Sequence, residues 1–136
     1  MIAMSSRLED GSPFPTTFWL TCPAAVAAMH ACESAGEHVA WARRAGSDPQ
    51  LAEALRAADA AYRAARAVEA GGDEPASGGV GGERDPLRVK CLHARVAASL
   101  GGVPDPVGER YVAVCAAVMA ECDGRRCSET LSGDVS

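Results

Sequence analysis

Large apolar side chains are scarce in this chain of 136 residues, which has two Phe, two Trp and two Tyr and only 23 residues that are Leu, Ile, Val or Phe. A core built on rings is thereby excluded, and whatever core exists must be thin. No run of about 18 apolar residues is present, which excludes a membrane-spanning helix of ordinary length. Cationic excess is missing too: 13 Lys and Arg stand against 18 Asp and Glu, a formal charge of −5 with no basic stripe. That balance weighs against a protein whose affinity comes from nucleic-acid phosphates. The first residues, Met1-Ile2-Ala3-Met4-Ser5-Ser6-Arg7, carry no hydrophobic segment of signal-peptide length, so a soluble, unexported, cytoplasmic protein without a membrane partner is expected. Alternating apolar and polar positions are absent over any length that would make a strand, and no internal repeat is visible.

Alanine is abundant, at 28 residues, and falls in helical runs. A low content of large aliphatics signals disorder when net charge is high. Here the charge is modest, and the expectation is an ordered, Ala-rich, all-α domain spanning residues 1–136. Its architecture should be an irregular bundle of four or five short helices behind an extended N-terminal arm (residues 1–22) rich in aromatics and proline. The arm holds Pro13, Phe14, Pro15, Phe18 and Trp19, which would pack on the helices. Pro23 suits a first helical position, and a helix should run from there to about Ala35, with Val26, Met29 and Cys32 near one face. Gly36 interrupts it, a continuation follows from Glu37, and Gly46 ends that as a C-cap. Ser47-Asp48-Pro49-Gln50 caps the clearest helix, whose stripe is Leu51, Leu55, Ala58, Tyr62 and Ala65. The first helical half thus covers residues 23–70. Residues 71–86 form a Gly-rich flexible loop with almost no apolar side chain. In the second helical half (87–127), Val89, Leu92, Val96 and Leu100 mark one helix. Asp105-Pro106 opens another, with Val107, Tyr111, Val114 or Cys115, Val118 and Cys122 on a face. Residues 128–136 read as a disordered polar tail.

Six cysteines, numbers 22, 32, 91, 115, 122 and 127, are expected to be reduced in the cytoplasm, as core thiols, metal ligands or reactive groups. Cys122-Asp-Gly-Arg-Arg-Cys127 places two thiols across a turn, able to converge on an ion or on each other. A tetrahedral zinc site or an iron–sulfur cluster needs further donors. Cys22, just before a helix, and Cys91, near a helix start, suit that role because positive helix ends favour thiolates. His93 is the alternate ligand. Residues two apart diverge within a helix, so Cys91 and His93 share an ion only if the helix begins after Cys91. Cys32 and Cys115 fall on apolar stripes and read as core. His30 and His38 read as surface or boundary residues. A nucleophilic Cys91, activated by Lys90, Arg88 and a helix N-terminus with His93 as base, lacks an orienting third group. Gly78-Gly79-Val80-Gly81-Gly82 follows no strand and lacks the Gly-Lys-Ser/Thr ending of a phosphate loop, so a flexible loop is the simpler reading. Arg43-Arg44 and Arg125-Arg126 read as solvated charges.

Four ordered motifs, Asp10-Gly11-Ser12-Pro13-Phe14-Pro15-Thr16-Thr17-Phe18-Trp19-Leu20-Thr21-Cys22-Pro23, Gly79-Val80-Gly81-Gly82, Val89-Lys90-Cys91-Leu92-His93-Ala94 and Asp105-Pro106-Val107-Gly108, cover roughly residues 8–108. In these the chain resembles the bacterial family called domain of unknown function 501. The resemblance implies a small cytoplasmic protein without an assigned activity, often encoded near a septum-formation initiator and an exopolyphosphatase. In the family pattern the position of Cys22 can be His, an exchange that suits a metal ligand. Members often carry another Cys upstream of the first motif. This chain starts shortly before that motif, so either one ligand is missing or Cys122 and Cys127 complete the site. The expected function is therefore metal binding, by zinc or an iron–sulfur cluster, through Cys22, Cys91, Cys122 and Cys127, with His93 as alternate. The alternative is a metal-free interaction module whose thin helices need a protein partner, such as a cell-division protein, or a second copy. Enzymatic activity ranks third, since no acid–base pair or complete triad is evident.

Overall fold

In a computed structural model, the described residues are 2–3, 17–69 and 78–121; of Ile2 and Ala3 only the backbone pairing is considered. The fold is all-α, with five helices among the described residues: α1 (Pro23–Ser34), α2 (Glu37–Ala45), α3 (Pro49–Glu69), α4 (Leu92–Leu100) and α5 (Pro106–Ala120). One two-residue ladder accompanies them, β1 (Ile2–Ala3) antiparallel to β2 (Phe18–Trp19). It is too short to leave a period-two signal, which is why the sequence shows no strand. Residues 17–20 of the arm sit against the helices, with Thr17, Phe18 and Leu20 buried. The Thr17 N–H donates to the Tyr62 hydroxyl at 2.8 Å, and the Phe18 and Tyr62 rings meet edge to face at 6.0 Å. The arm is thus tied to α3. Residues 4–16, which hold the rest of it, lie outside the described residues.

Local chemistry explains most helix ends. Pro23 begins α1 behind an extended Cys22, and Gly36, at φ 82°, makes the left-handed turn into α2 that a β-carbon would oppose. Gly46 occupies the C-cap of α2 as expected, yet at φ −69° it keeps a right-handed conformation and is not a left-handed glycine cap. Asp48 caps α3, its Oδ1 accepting from the N–H groups of Gln50 and Leu51 at 3.1 and 3.2 Å. The α3 stripe buries Leu51, Leu55, Ala58 and Tyr62 and then continues at Arg66, which is fully buried. Its Nη2 donates to the Gly78 carbonyl at 2.6 Å, so the glycine-rich segment is anchored at that point. There the expectation of a loose linker gives way: Val80–Gly82 form a short 3-10 turn, and Val80 is a core residue at 4% exposure. Residues 70–77 lie outside the described residues.

α4 is central, with Leu92, Val96, Ala97 and Ala98 fully enclosed. One buried cluster runs from Phe18 through α1, α3 and α4 to Cys115, so both helical halves share a core. Small residues make that thin core dense. Any β-carbon on Gly108 would run into the Arg95 carbonyl and the Ser99 hydroxyl, so glycine is what lets α5 approach α4. Asp105 caps α5, its Oδ1 accepting from Val107 and Gly108 N–H at 3.0 Å each, while Oδ2 takes a 2.9 Å bond from Arg95 Nη1. Both members of this ion pair are buried. On α5 it is Cys115, not Val114, that faces inward.

Candidate metal centre and adjoining cavity

The helix expected from Val89 begins three residues later, at Leu92, with Cys91 as an extended N-cap whose own side chain makes no cap bond. The missing cap comes from another helix. Glu33, in the last turn of α1, accepts from the Leu92 N–H at 2.7 Å through Oε1, and the same oxygen lies 3.1 Å from His93 Nδ1. One turn earlier on the same face of α1, His30 meets the His93 ring edge-on at 5.4 Å. The junction of α1 and α4 therefore gathers two imidazoles and a carboxylate, with donor atoms of His30, Glu33 and His93 all within 4.8 Å of one another. His30 is exposed, whereas Glu33 and His93 are partly buried.

Cys91 completes the neighbourhood. Because α4 starts after it, Cys91 and His93 meet, satisfying the condition under which they can serve one site. A hydrogen bond with the Cys91 thiol pushes the His93 imidazole up to about 9; burial opposes this, and Glu33 adds to it. Burial alone would raise Glu33, but the Leu92 N–H and the His93 ring outweigh it and hold the carboxyl below its usual range. Glu33 and His93 thus form a charge-assisted pair at neutral pH. A metal ion entering here must displace the imidazole proton.

Of the five ligands expected from sequence, the structure brings Cys91 and His93 together. Cys22 caps the opposite end of α1 from Glu33, eight positions before His30 and so about 12 Å away along the axis. Its thiol neighbour is Cys115, which Cys22 and burial together push above the usual thiol range, burial being the larger cause. Cys122 and Cys127 lie outside the described residues. Cys32 is partly buried against the core, and burial and a hydrogen bond with Glu37 raise it. His30 and Glu33 escaped sequence reasoning. Their spacing, His30-x-x-Glu33, puts both on one helix face, but nothing local reveals that this face meets the start of α4. Glu33 is also the orienting group that the sequence did not supply for a Cys91–His93 pair.

Beside Cys91 and His93 lies a cavity of about 280 Å³, walled by residues 18–20 of the arm and by Ala94, with Gly81 and Lys90 at its edge. Lys90 is exposed, and its Nζ lies 3.5 Å from the Gly81 carbonyl.

Fold and site together define a helical protein with a His/Glu donor cluster where two helices meet, Cys91 lying beside it but outside the group of converging donor atoms. The chain belongs to the family described as "Protein of unknown function (DUF501)", whose model matches residues 1–113. No curated protein and no solved structure matches it. Among the described residues, no helix is long and apolar enough to cross a membrane.

Proposed function

We propose that this protein is a zinc-binding helical module, in which His30, Glu33 and His93, with Cys91, hold one ion between α1 and α4. The observation that carries this reading is the convergence of three donors, from helices about 60 residues apart in sequence, within 4.8 Å. Tetrahedral zinc with bonds near 2.1 Å spaces its donors about 3.4 Å apart. Glu33 and His93, at 3.1 Å, are close to that spacing, and His30 completes the group of donors within 4.8 Å. Imidazole, carboxylate and a single thiolate suit zinc, whereas an iron–sulfur cluster takes mostly thiolates. Cys22, Cys32, Cys91 and Cys115 are all free thiols, as a reducing cytoplasm would keep them. Zinc titration of tag-free protein should reach one ion per chain and raise the melting temperature, with EDTA reversing the rise. An unchanged melting curve with zinc and with EDTA would overturn the proposal.

A second reading rests on the order Cys91, His93, Glu33, which places thiol, base and orienting carboxylate in sequence at a helix N-terminus, the arrangement of an activated nucleophile. It predicts that iodoacetamide labels Cys91 faster than Cys22 or Cys32 at neutral pH; equal, slow labelling removes it.

A further inference from the structure

The cavity shares Cys91 and His93 with the proposed zinc site, and its other lining residues form a candidate ligand site of their own. Its walls are apolar, made by Phe18, Leu20, Ala94 and the indole of Trp19. An apolar wall rewards a ligand with an apolar body, and the volume of about 280 Å³ lies just below the roughly 300–1,000 Å³ typical of drug-sized pockets. That admits a single ring or a short chain. Among the lining residues Lys90 brings an ammonium group and His93 an imidazole, with no carboxylate in the lining itself, the nearest being Glu33 paired behind His93. In a chain of net charge −5, this is a local reversal of sign. Lys90 is exposed, so its ammonium favours an anion through a modest, solvent-screened charge-assisted bond, while the apolar wall holds the ligand's body.

We infer that the cavity binds a small organic anion, with one ring or short chain packed against Phe18, Leu20 and Ala94 and one carboxylate on Lys90. The inference stands whether or not the α1–α4 junction holds zinc, and its test is therefore run on protein stripped with EDTA and repeated on zinc-loaded protein. Phenylacetate and hexanoate are the probes, followed by amide shifts in two-dimensional NMR spectra of the full chain. The expected result is a saturable shift at Gly81, Lys90 and Ala94 with at least one probe, in both preparations. Phenylacetamide and hexanamide, which keep the apolar body and lose the charge, should bind about two- to fivefold more weakly, as should the acids to Lys90→Gln. Lys90 is exposed, so that variant should keep the fold. The inference fails if neither acid gives saturable shifts, if acid and amide bind equally, or if the acids bind only the zinc-loaded protein.

Discussion

The carboxylate of Glu33 on α1 closes the open N-terminus of α4, taking the Leu92 N–H at 2.7 Å while holding His93 at 3.1 Å. One side chain thus serves a fold contact and a site contact. Helix capping by a side chain contributes about 1 kcal/mol, and hydrogen bonds to charged groups about 1.5–3 kcal/mol. Glu33→Ala should therefore lower stability in denaturant by about 1–2 kcal/mol. Glu33→Gln, which keeps an acceptor, should lose less than that. Both should weaken zinc binding. Equal stability of Glu33→Ala and the wild type would show that Leu92 needs no cap from α1.

The pH dependence of the metal-free protein follows from the same pair. His93 is raised from 6.5 to about 9 in the fold, so its contribution to stability is complete below about pH 6.5 and disappears as pH rises through about 9. Glu33 is lowered from 4.5, so its contribution is present above that pH and lost as acid protonates it. NMR titration of the three histidines should show one of them, His93, titrating well above the normal range, and Cys91→Ala should bring it down more than Glu33→Gln does. An imidazole at position 93 that titrates near 6.5 contradicts the pairing.

The fully buried ion pair and a partly buried one should respond very differently. Arg95 and Asp105 are enclosed, and Asp105 also caps α5, so Asp105→Ala strands a buried guanidinium and removes a cap at once. A loss of about 3–5 kcal/mol is expected, enough to threaten folding. Asp59 and Arg63, 2.8 Å apart on one turn of α3, form an i,i+4 pair worth about 0.3–0.5 kcal/mol. Chemical denaturation of Asp105→Ala and Arg63→Ala compares the two sites, and similar losses would contradict the burial argument.

Tyr111 joins α5 to α2, its hydroxyl donating to Glu37 Oε1 at 2.7 Å and accepting from Trp41 Nε1 at 2.9 Å. Tyr111→Phe removes both bonds and leaves the indole N–H without its acceptor, at a cost of about 1–3 kcal/mol. Burial and the Glu37 carboxylate push the phenol up to about 12, so the fold should lose stability as pH rises from 10 toward 12. Thermal melts in alkaline buffer should show this loss in the wild type and a smaller one in Tyr111→Phe.

What was legible in the sequence was local. Pro23, Asp48-Pro49 and Asp105-Pro106 mark helix starts because a cap and its helix are neighbours in the chain. The 4,3-spaced stripe of α3 emerges at the expected residues for the same reason. The start of α4 was misplaced by three residues because its cap, Glu33, lies 59 positions away, and no propensity reports a contact of that kind. Arg66 and Arg95 look like surface arginines by type, and only the Gly78 carbonyl and Asp105 explain their burial. At the site, Cys91 and His93 were candidates on the condition that the helix begins after Cys91, and α4 does begin at Leu92. His30 and Glu33 became visible only when α1 was laid against the first turn of α4.

The most direct test of the central claim is X-ray absorption at the zinc edge on the zinc-loaded full chain. Coordination by His30, Glu33, His93 and Cys91 predicts nitrogen and oxygen neighbours at about 2.0–2.1 Å with a single sulfur at about 2.3 Å. A shell dominated by sulfur, as Cys22, Cys91, Cys122 and Cys127 would give, or a failure to hold zinc at one ion per chain, contradicts it.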